Sequence, residues 1–178
     1  MIIEGVNMKV KFLITIFVFF ITLVAVSGCF ESKKKFENNQ ISFEYPSTWK
    51  TGRVMDLPGA IVSIRGDNAD VKISKTEINN TSSLESYYKK LIETNQESLA
   101  EYCYQVISER TLKVDGADAY EIIYKIGCDD TQTRQQRRII LFEKKGYLYT
   151  ISCTVIPPED FDNQKSNLNI IVESLHVK

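Results

Sequence analysis

Val114-Asp115-Gly116-Ala117-Asp118-Ala119-Tyr120-Glu121 decides the fold, and Gly146-Tyr147-Leu148-Tyr149-Thr150-Ile151, led in by Lys145, repeats its message. In each, a glycine preceded by a polar residue separates runs rich in aromatic and aliphatic side chains. That is the pattern of a tight hairpin turn. The stretch from Tyr104 to Val155 is therefore expected to form a four-stranded antiparallel meander at the centre of a sheet. Asp129 to Gln136 is its longer polar loop, and Pro157 and Pro158 end it.

Upstream, Ile41-Ser42-Phe43-Glu44-Tyr45 alternates apolar and polar residues and stops at Pro46, as a half-buried strand does. Pro46-Ser47-Thr48-Trp49 makes a turn, and the single Trp is expected to pack beneath it as core. Ala60 to Ile64 and Val71 to Ser74 read as two short strands. The loop Gly66-Asp67-Asn68-Ala69-Asp70 between them carries two carboxylates but lacks the ligand spacing and terminal Glu of a calcium-binding EF-hand, so it reads as a polar turn. Ser82 and Glu85 have capping-box spacing before Leu84, Tyr87, Tyr88, Leu91 and Ile92, which predicts an amphipathic helix from about Leu84 to about Leu99. Asn79 and Asn80 begin consecutive glycosylation sequons in the preceding loop. Phe161, Leu168, Ile171, Val172 and Leu175 mark a second helix, and Leu175-His176-Val177 a last short strand.

The N-terminus has another character. Lys9 and Lys11 precede Phe12 to Val26, a run with no charge, which is the layout of a signal peptide. The run is shorter than the roughly 20 residues a membrane-spanning helix needs. It ends in Val26-Ser27-Gly28-Cys29, which resembles the lipobox of lipoproteins, where the Cys29 thiol accepts the lipid. Residues 1–28 are thus expected to be a signal peptide, 29–35 a lipid-anchored linker, and 36–178 one globular domain. The alternative is an uncleaved signal anchor. Either places the domain on the extracytoplasmic face of the cell membrane. One acyl chain holds a protein only marginally, and Lys33-Lys34-Lys35 would add attraction to anionic lipid, although three charges read more simply as a solvated linker. Without residues 1–28 the chain carries 20 basic and 22 acidic residues, a balance that gives no electrostatic footprint for nucleic acid.

Beyond Cys29 there are three cysteines, so at least one lacks an internal partner. If Asp115 and Gly116 are the two turn residues, counting outward places Cys103 opposite Cys128, which predicts a disulfide. The same register sets Gln105, Glu109 and Thr111 opposite apolar residues. A bulge or a longer turn would shift the pairing by one and realign Tyr104, Val106, Leu112 and Val114 with the apolar row. Cys153, alternating with Tyr149, Ile151 and Val155, reads as a buried small hydrophobe.

Catalytic signals are few. There is no Cys-x-x-Cys, no phosphate-binding loop and no nucleophile elbow, and the single histidine, His176, stands two residues from the end. No catalytic residue, metal ligand set or cofactor is implied. Asp129-Asp130 and Glu159-Asp160 are acid pairs of the kind usually solvated on a surface. Arg134, Arg137 and Arg138 form the one basic cluster suited to a protein partner or an anionic headgroup; the plain reading is an exposed strand end.

Ile41-Ser42-Phe43-Glu44-Tyr45-Pro46-Ser47-Thr48-Trp49-Lys50, the two turn segments quoted first and Ile171-Val172-Glu173-Ser174-Leu175 together resemble PsbP-like domains over about Phe36 to Val177. The resemblance implies the Mog1/PsbP-like α-β-α sandwich, an α+β fold with a central antiparallel sheet flanked by helices. In that family, members assist photosystem II or, in the Mog1 branch, bind a small GTPase, and these are not enzymatic roles. A shared fold does not transfer function. The preferred reading is a non-catalytic lipoprotein that binds or assembles an envelope protein complex, held at the membrane through Cys29. The alternatives are a carrier of a small apolar ligand lined by Tyr87, Tyr88 and Tyr149, and a carboxylate-based hydrolase.

Overall fold

The computed structural model describes residues 32–52, 59–78, 82–128 and 134–178. Cys29, Asn79, Asn80, Asp129 and Asp130 lie outside them. The strands are β1 (Lys33–Glu37), β2 (Ile41–Pro46), β3 (Lys50–Gly52), β4 (Ala60–Arg65), β5 (Ala69–Glu77), β6 (Gln105–Val114), β7 (Ala117–Ile126), β8 (Gln135–Lys144), β9 (Tyr147–Val155) and β10 (His176–Val177). The described residues also form two α-helices, α1 (Leu84–Ser98) and α2 (Phe161–Ser174). Seven strands form one antiparallel sheet in the order β3-β4-β5-β9-β8-β7-β6, and β1-β2-β10 form a smaller one. The architecture is α+β, mostly antiparallel sheet with two helices. Among the described residues no helix is long and apolar enough to cross a membrane.

The meander forms as expected, with Val114 opposite Ala117 and Lys144 opposite Tyr147. Both turns need positive φ at two successive residues: Asp115 (49°) and Gly116 (78°), then Lys145 (52°) and Gly146 (78°). Its place in the sheet differs from expectation. The meander fills one side, β6 is an edge, and β5 with β9 joins it to β3 and β4. The strands at Ala60 and Val71 are also longer than predicted, because β5 pairs with β9 along its whole length from Ala69 to Glu77.

Alternation along β7 sends side chains to two different cores. Ile122, Tyr124 and Ile126 pack with Ile139, Leu141 and Leu148 beneath Tyr88 of α1. Ala119 joins Ile140, Phe142, Ile151 and Cys153 in the other, larger core, which Phe161, Leu168, Ile171 and Val172 of α2 enter from outside. The small sheet packs there too, through Ile41, Phe43 and Tyr45. Trp49 is buried as predicted, its indole so close to Gly66 that an added Cβ would lie 2.4 Å from the ring. Cys153 is fully buried, and burial pushes its thiol up to about 12, so it behaves as a small core hydrophobe.

Two expectations about local structure need correction. The run Lys33-Lys34-Lys35 is no linker: it opens β1, which pairs with β2 from Lys33 opposite Pro46 to Glu37 opposite Ser42. The compact unit therefore begins at Lys33 rather than Phe36. The cap of α1 is Ser83, whose Oγ accepts from the Ser86 N–H at 3.2 Å, so the Ser82/Glu85 capping box is out by one residue. Glu85 pairs with Lys89 instead, at 2.7 Å.

Both readings of the cysteine register turn out to hold in part. The two-residue turn keeps strict pairing from Val114 to Ser108, then Ile107 bulges and Val106 falls opposite Tyr124. Glu109 and Thr111 do sit opposite Ile122 and Tyr120, which an edge strand tolerates. Cys103, beyond the ladder and in left-handed conformation (φ 52°), bonds Cys128 with Cα atoms 5.2 Å apart. The bond spans 25 residues, for which chain entropy gives about 3 kcal/mol. Cys103→Ser should lower the unfolding free energy by up to that amount in urea titrations, and added reductant should lower it equally in the unaltered protein but not in the variant.

At the β6-β7 turn the Asp115 carboxylate gathers the C-terminus: it accepts from Lys144 Nζ at 2.6 Å and the Val177 N–H at 3.0 Å, and lies 3.0 Å from His176 Nδ1. Burial alone would raise this carboxyl, but Lys144, Val177 and His176 outweigh it and lower it from 3.8 to about 2. A folded-state value below the unfolded one stabilises the native state above about pH 4, and the contribution is lost as pH falls towards 2. Asp115→Asn should cost about 1–2 kcal/mol at neutral pH and flatten the pH dependence of the urea midpoint between pH 4 and 2.

Candidate functional site

The three arginines read as one basic cluster are separated by the strand's own geometry. Arg137 and Arg138 are neighbours on β8, so their side chains leave opposite faces. Arg138 is no surface residue. It is 3% exposed and its Nε donates to Glu121 Oε1 at 2.6 Å, while Nη1 reaches Asn169 Oδ1 on α2 at 2.7 Å. The other Glu121 oxygen accepts from Arg110 Nε. Burial would raise the Glu121 carboxyl, but the two guanidiniums outweigh it and hold it below the usual carboxylate range. Arg134 pairs with Glu159 at 2.6 Å on the surface, beside the cysteine pair.

Arg137 alone reaches the feature best suited to binding, a groove of about 490 Å³ between α1 and the exposed part of the sheet. Register fixes its floor in rows. Arg137 is opposite Thr154; Ile139 is opposite Ser152, which is opposite Lys72; Leu141 is opposite Thr150, which is opposite Ser74. Leu148 closes the far end. Tyr87, Lys90, Leu91 and Thr94, on one side of α1, form the wall. The groove thus grades from cations and hydroxyls at the Arg137 end to apolar side chains at the Leu148 end. Among the described residues three cations and no carboxylate line it. Arg137 Nε donates to Gln135 Oε1 at 3.0 Å, and Lys72 Nζ is 3.5 Å from Asp70 Oδ2, just outside the groove.

Of the three tyrosines expected around a ligand, only Tyr87 lines this groove. Tyr88 is buried beneath α1, stacked on Tyr120, with its hydroxyl donating to Glu109 at 2.8 Å. Burial and the Glu109 carboxylate both raise that phenol. Tyr149 lies in the other core, against Phe142. Glu159 and Asp160 form no catalytic pair: they bond Arg134 and Asn68 respectively. Asp70 of the polar turn accepts from Ser63 and pairs with Arg65 and Lys72. Among the described residues there is no group of three or more side chains able to hold a metal.

Sequence reading missed Lys72, Lys90 and the hydroxyl row. The signal was present: Thr150, Ser152 and Thr154 alternate along β9, an interior strand of the sheet. A strand buried on both faces reads as continuously apolar. Hydroxyls at every second position mark a face left partly uncovered.

The fold is an α+β domain, mostly antiparallel sheet, with the groove beside α1 as its candidate binding site. The chain belongs to the PsbP-like protein family, whose pattern matches residues 24–177. Its structure is similar to cyanobacterial PsbP (CyanoP) from Synechocystis, at 19% identity over 86% of this chain and 99% of that one, with a TM-score of 0.63. It is also similar to the Ran-binding protein Mog1p of Saccharomyces cerevisiae, at 15% identity over 83% and 96% and a TM-score of 0.58. LpqN of Mycobacterium tuberculosis, involved in cell envelope biogenesis, matches at 10% identity over 83% and 91%, with a TM-score of 0.54. At these identities the likenesses establish the Mog1/PsbP-like fold. A search of the curated proteins gives no match.

Breaking the buried pair tests whether Arg138 is structural. Arg138→Ala leaves the Glu121 charge half compensated and should cost about 3 kcal/mol in urea denaturation. The double variant Glu121→Leu, Arg138→Met, which removes both charges, should recover most of it.

Proposed function

We propose that the protein is a non-catalytic binding module, lipid-anchored through Cys29 on the extracytoplasmic face of the cell membrane, which holds or assembles an envelope protein complex. In this reading the seven-stranded sheet is the middle layer of an α-β-α sandwich, and the face that α1 leaves partly bare is the binding face. The observation that carries it is the groove. It is long, open, lined by hydroxyls, cations and aliphatic side chains, and built on rigid strands, a composition suited to a partner's surface segment. The uncharged run from Phe12 to Val26 and the small residues before Cys29 support export and anchoring. That a Ran-binding protein and a protein of cell envelope biogenesis share the fold supports protein binding. The groove's volume also lies within the roughly 300–1,000 Å³ of small-molecule sites, which favours a ligand carrier as the second reading.

In intact cells, a photoreactive amino acid at Leu91 should form adducts with one envelope protein, whereas the same group at Asp162 on α2 should not. Adducts with lipid alone, or the same protein from both positions, would count against the proposal. Cys29→Ser should abolish incorporation of labelled palmitate and release the domain from membranes.

A further inference from the structure

We propose that the groove's partner presents an acidic amphipathic segment, its carboxylates over Arg137 and Lys72 and its aliphatic side chains between Leu91, Leu141 and Leu148. The inference rests on the partner reading above and adds the chemistry and direction of what binds. Charge carries the first half. Arg137, Lys72 and Lys90 line the groove, and among the described residues no carboxylate lines it. The acid next to that end, Asp70, is already engaged by Ser63, Arg65 and Lys72, so the end stays positive. A guanidinium meets a carboxylate through two parallel hydrogen bonds, which fixes orientation as well as sign.

Register carries the second half. Moving along β9 from Thr154 to Leu148, the residues opposite on β8 change from Arg137 through Ile139 and Leu141 to Glu143. The apolar end of the groove is thus flanked by a carboxylate that repels a second acid there. Opposite charges at the two ends give a docking segment one preferred direction. Between them Ser74, Thr150 and Ser152 offer hydroxyls that donate or accept, which suits the backbone of an extended segment without demanding a side-chain sequence.

The test uses the full-length chain in nanodiscs of zwitterionic lipid and three fluorescent peptides alternating leucine with glutamate, glutamine or lysine. By anisotropy the glutamate peptide should bind at least about tenfold tighter than the other two, and more weakly as salt rises. Arg137→Gln and Lys72→Gln should each weaken it by about tenfold. Ser152→Asp should abolish binding where Ser152→Asn retains it, with circular dichroism confirming that each variant folds. Equal affinity for the lysine peptide, or charge variants that leave binding unchanged, would overturn the proposal. So would tighter binding of soluble short-chain phosphatidylglycerol than of the glutamate peptide. If the Leu91 crosslink captures a protein while all three peptides bind alike, the partner reading stands and this one falls.

Discussion

A helix with its side chains is about 10–12 Å across, whereas seven strands spaced about 4.8 Å apart spread over nearly 30 Å. One helix cannot clothe such a face, and this mismatch of widths shapes both sides of the molecule. On one side α2 is joined by β2 of the small sheet, and together they bury Ile64, Val71, Ile73, Ile140 and Ile151 completely. On the other side, among the described residues, α1 is the one helix that covers the sheet. It centres on Tyr88 over β7 and β8, so the strands farther along, β9 and β5, meet its flank rather than its underside. Their outward residues respond: where a second cover would call for Val or Ile, the chain has Lys72, Ser74, Thr150, Ser152 and Thr154. The groove is what remains when a sheet is wider than its cover.

The same period-two logic accounts for the arginines. Consecutive strand residues face opposite ways, so Arg137 enters the groove and Arg138 enters the interior, although nothing in their immediate sequence tells them apart. Inside, Arg138 lies opposite Ile123 and Cys153, where an unpaired charge would be expensive. Glu121 compensates it from β7, Arg110 of β6 bonds the same carboxylate, and Asn169 of α2 accepts from Arg138 Nη1. Four elements thus meet in one polar cluster around Glu121 and Arg138. A buried ion cluster of this kind adds little net stability, but it rejects the wrong register, because a one-residue slip of β7 would send Glu121 to the α1 face and leave Arg138 alone.

Elements were legible in the sequence wherever a local pattern fixed them. The turns at Asp115-Gly116 and Lys145-Gly146, the stripe of α1 and the alternation of β2 are properties of a few adjacent residues, and they appear in the structure where they were read. The disulfide was legible because a two-residue turn fixes the register of both arms; the bulge at Ile107 was visible only as a conflict in that register. Features that depend on distant pairing were not legible. β1 reads as a charged linker because Lys33, Lys34 and Lys35 gain strand character only from pairing with β2. The groove was hidden for the same reason: Lys72 and Arg137 are brought near each other only by β9, which lies between β5 and β8.

The route by which the chain enters the domain bears on how such a groove can be used. β1 pairs with β2, and Phe36 of β1 stacks on Phe43 with ring centroids 5.1 Å apart, within the core that α2 enters. The small sheet therefore packs on the α2 side of the large sheet, while the groove opens on the α1 side. β10 ties the C-terminus to the same small sheet through Val177 opposite Ile41, and Asp115 fastens it to the meander's turn. The C-terminal strand is thereby held in the small sheet, whose residues Ile41, Phe43 and Val177 pack on the α2 side and leave the α1 face to the groove.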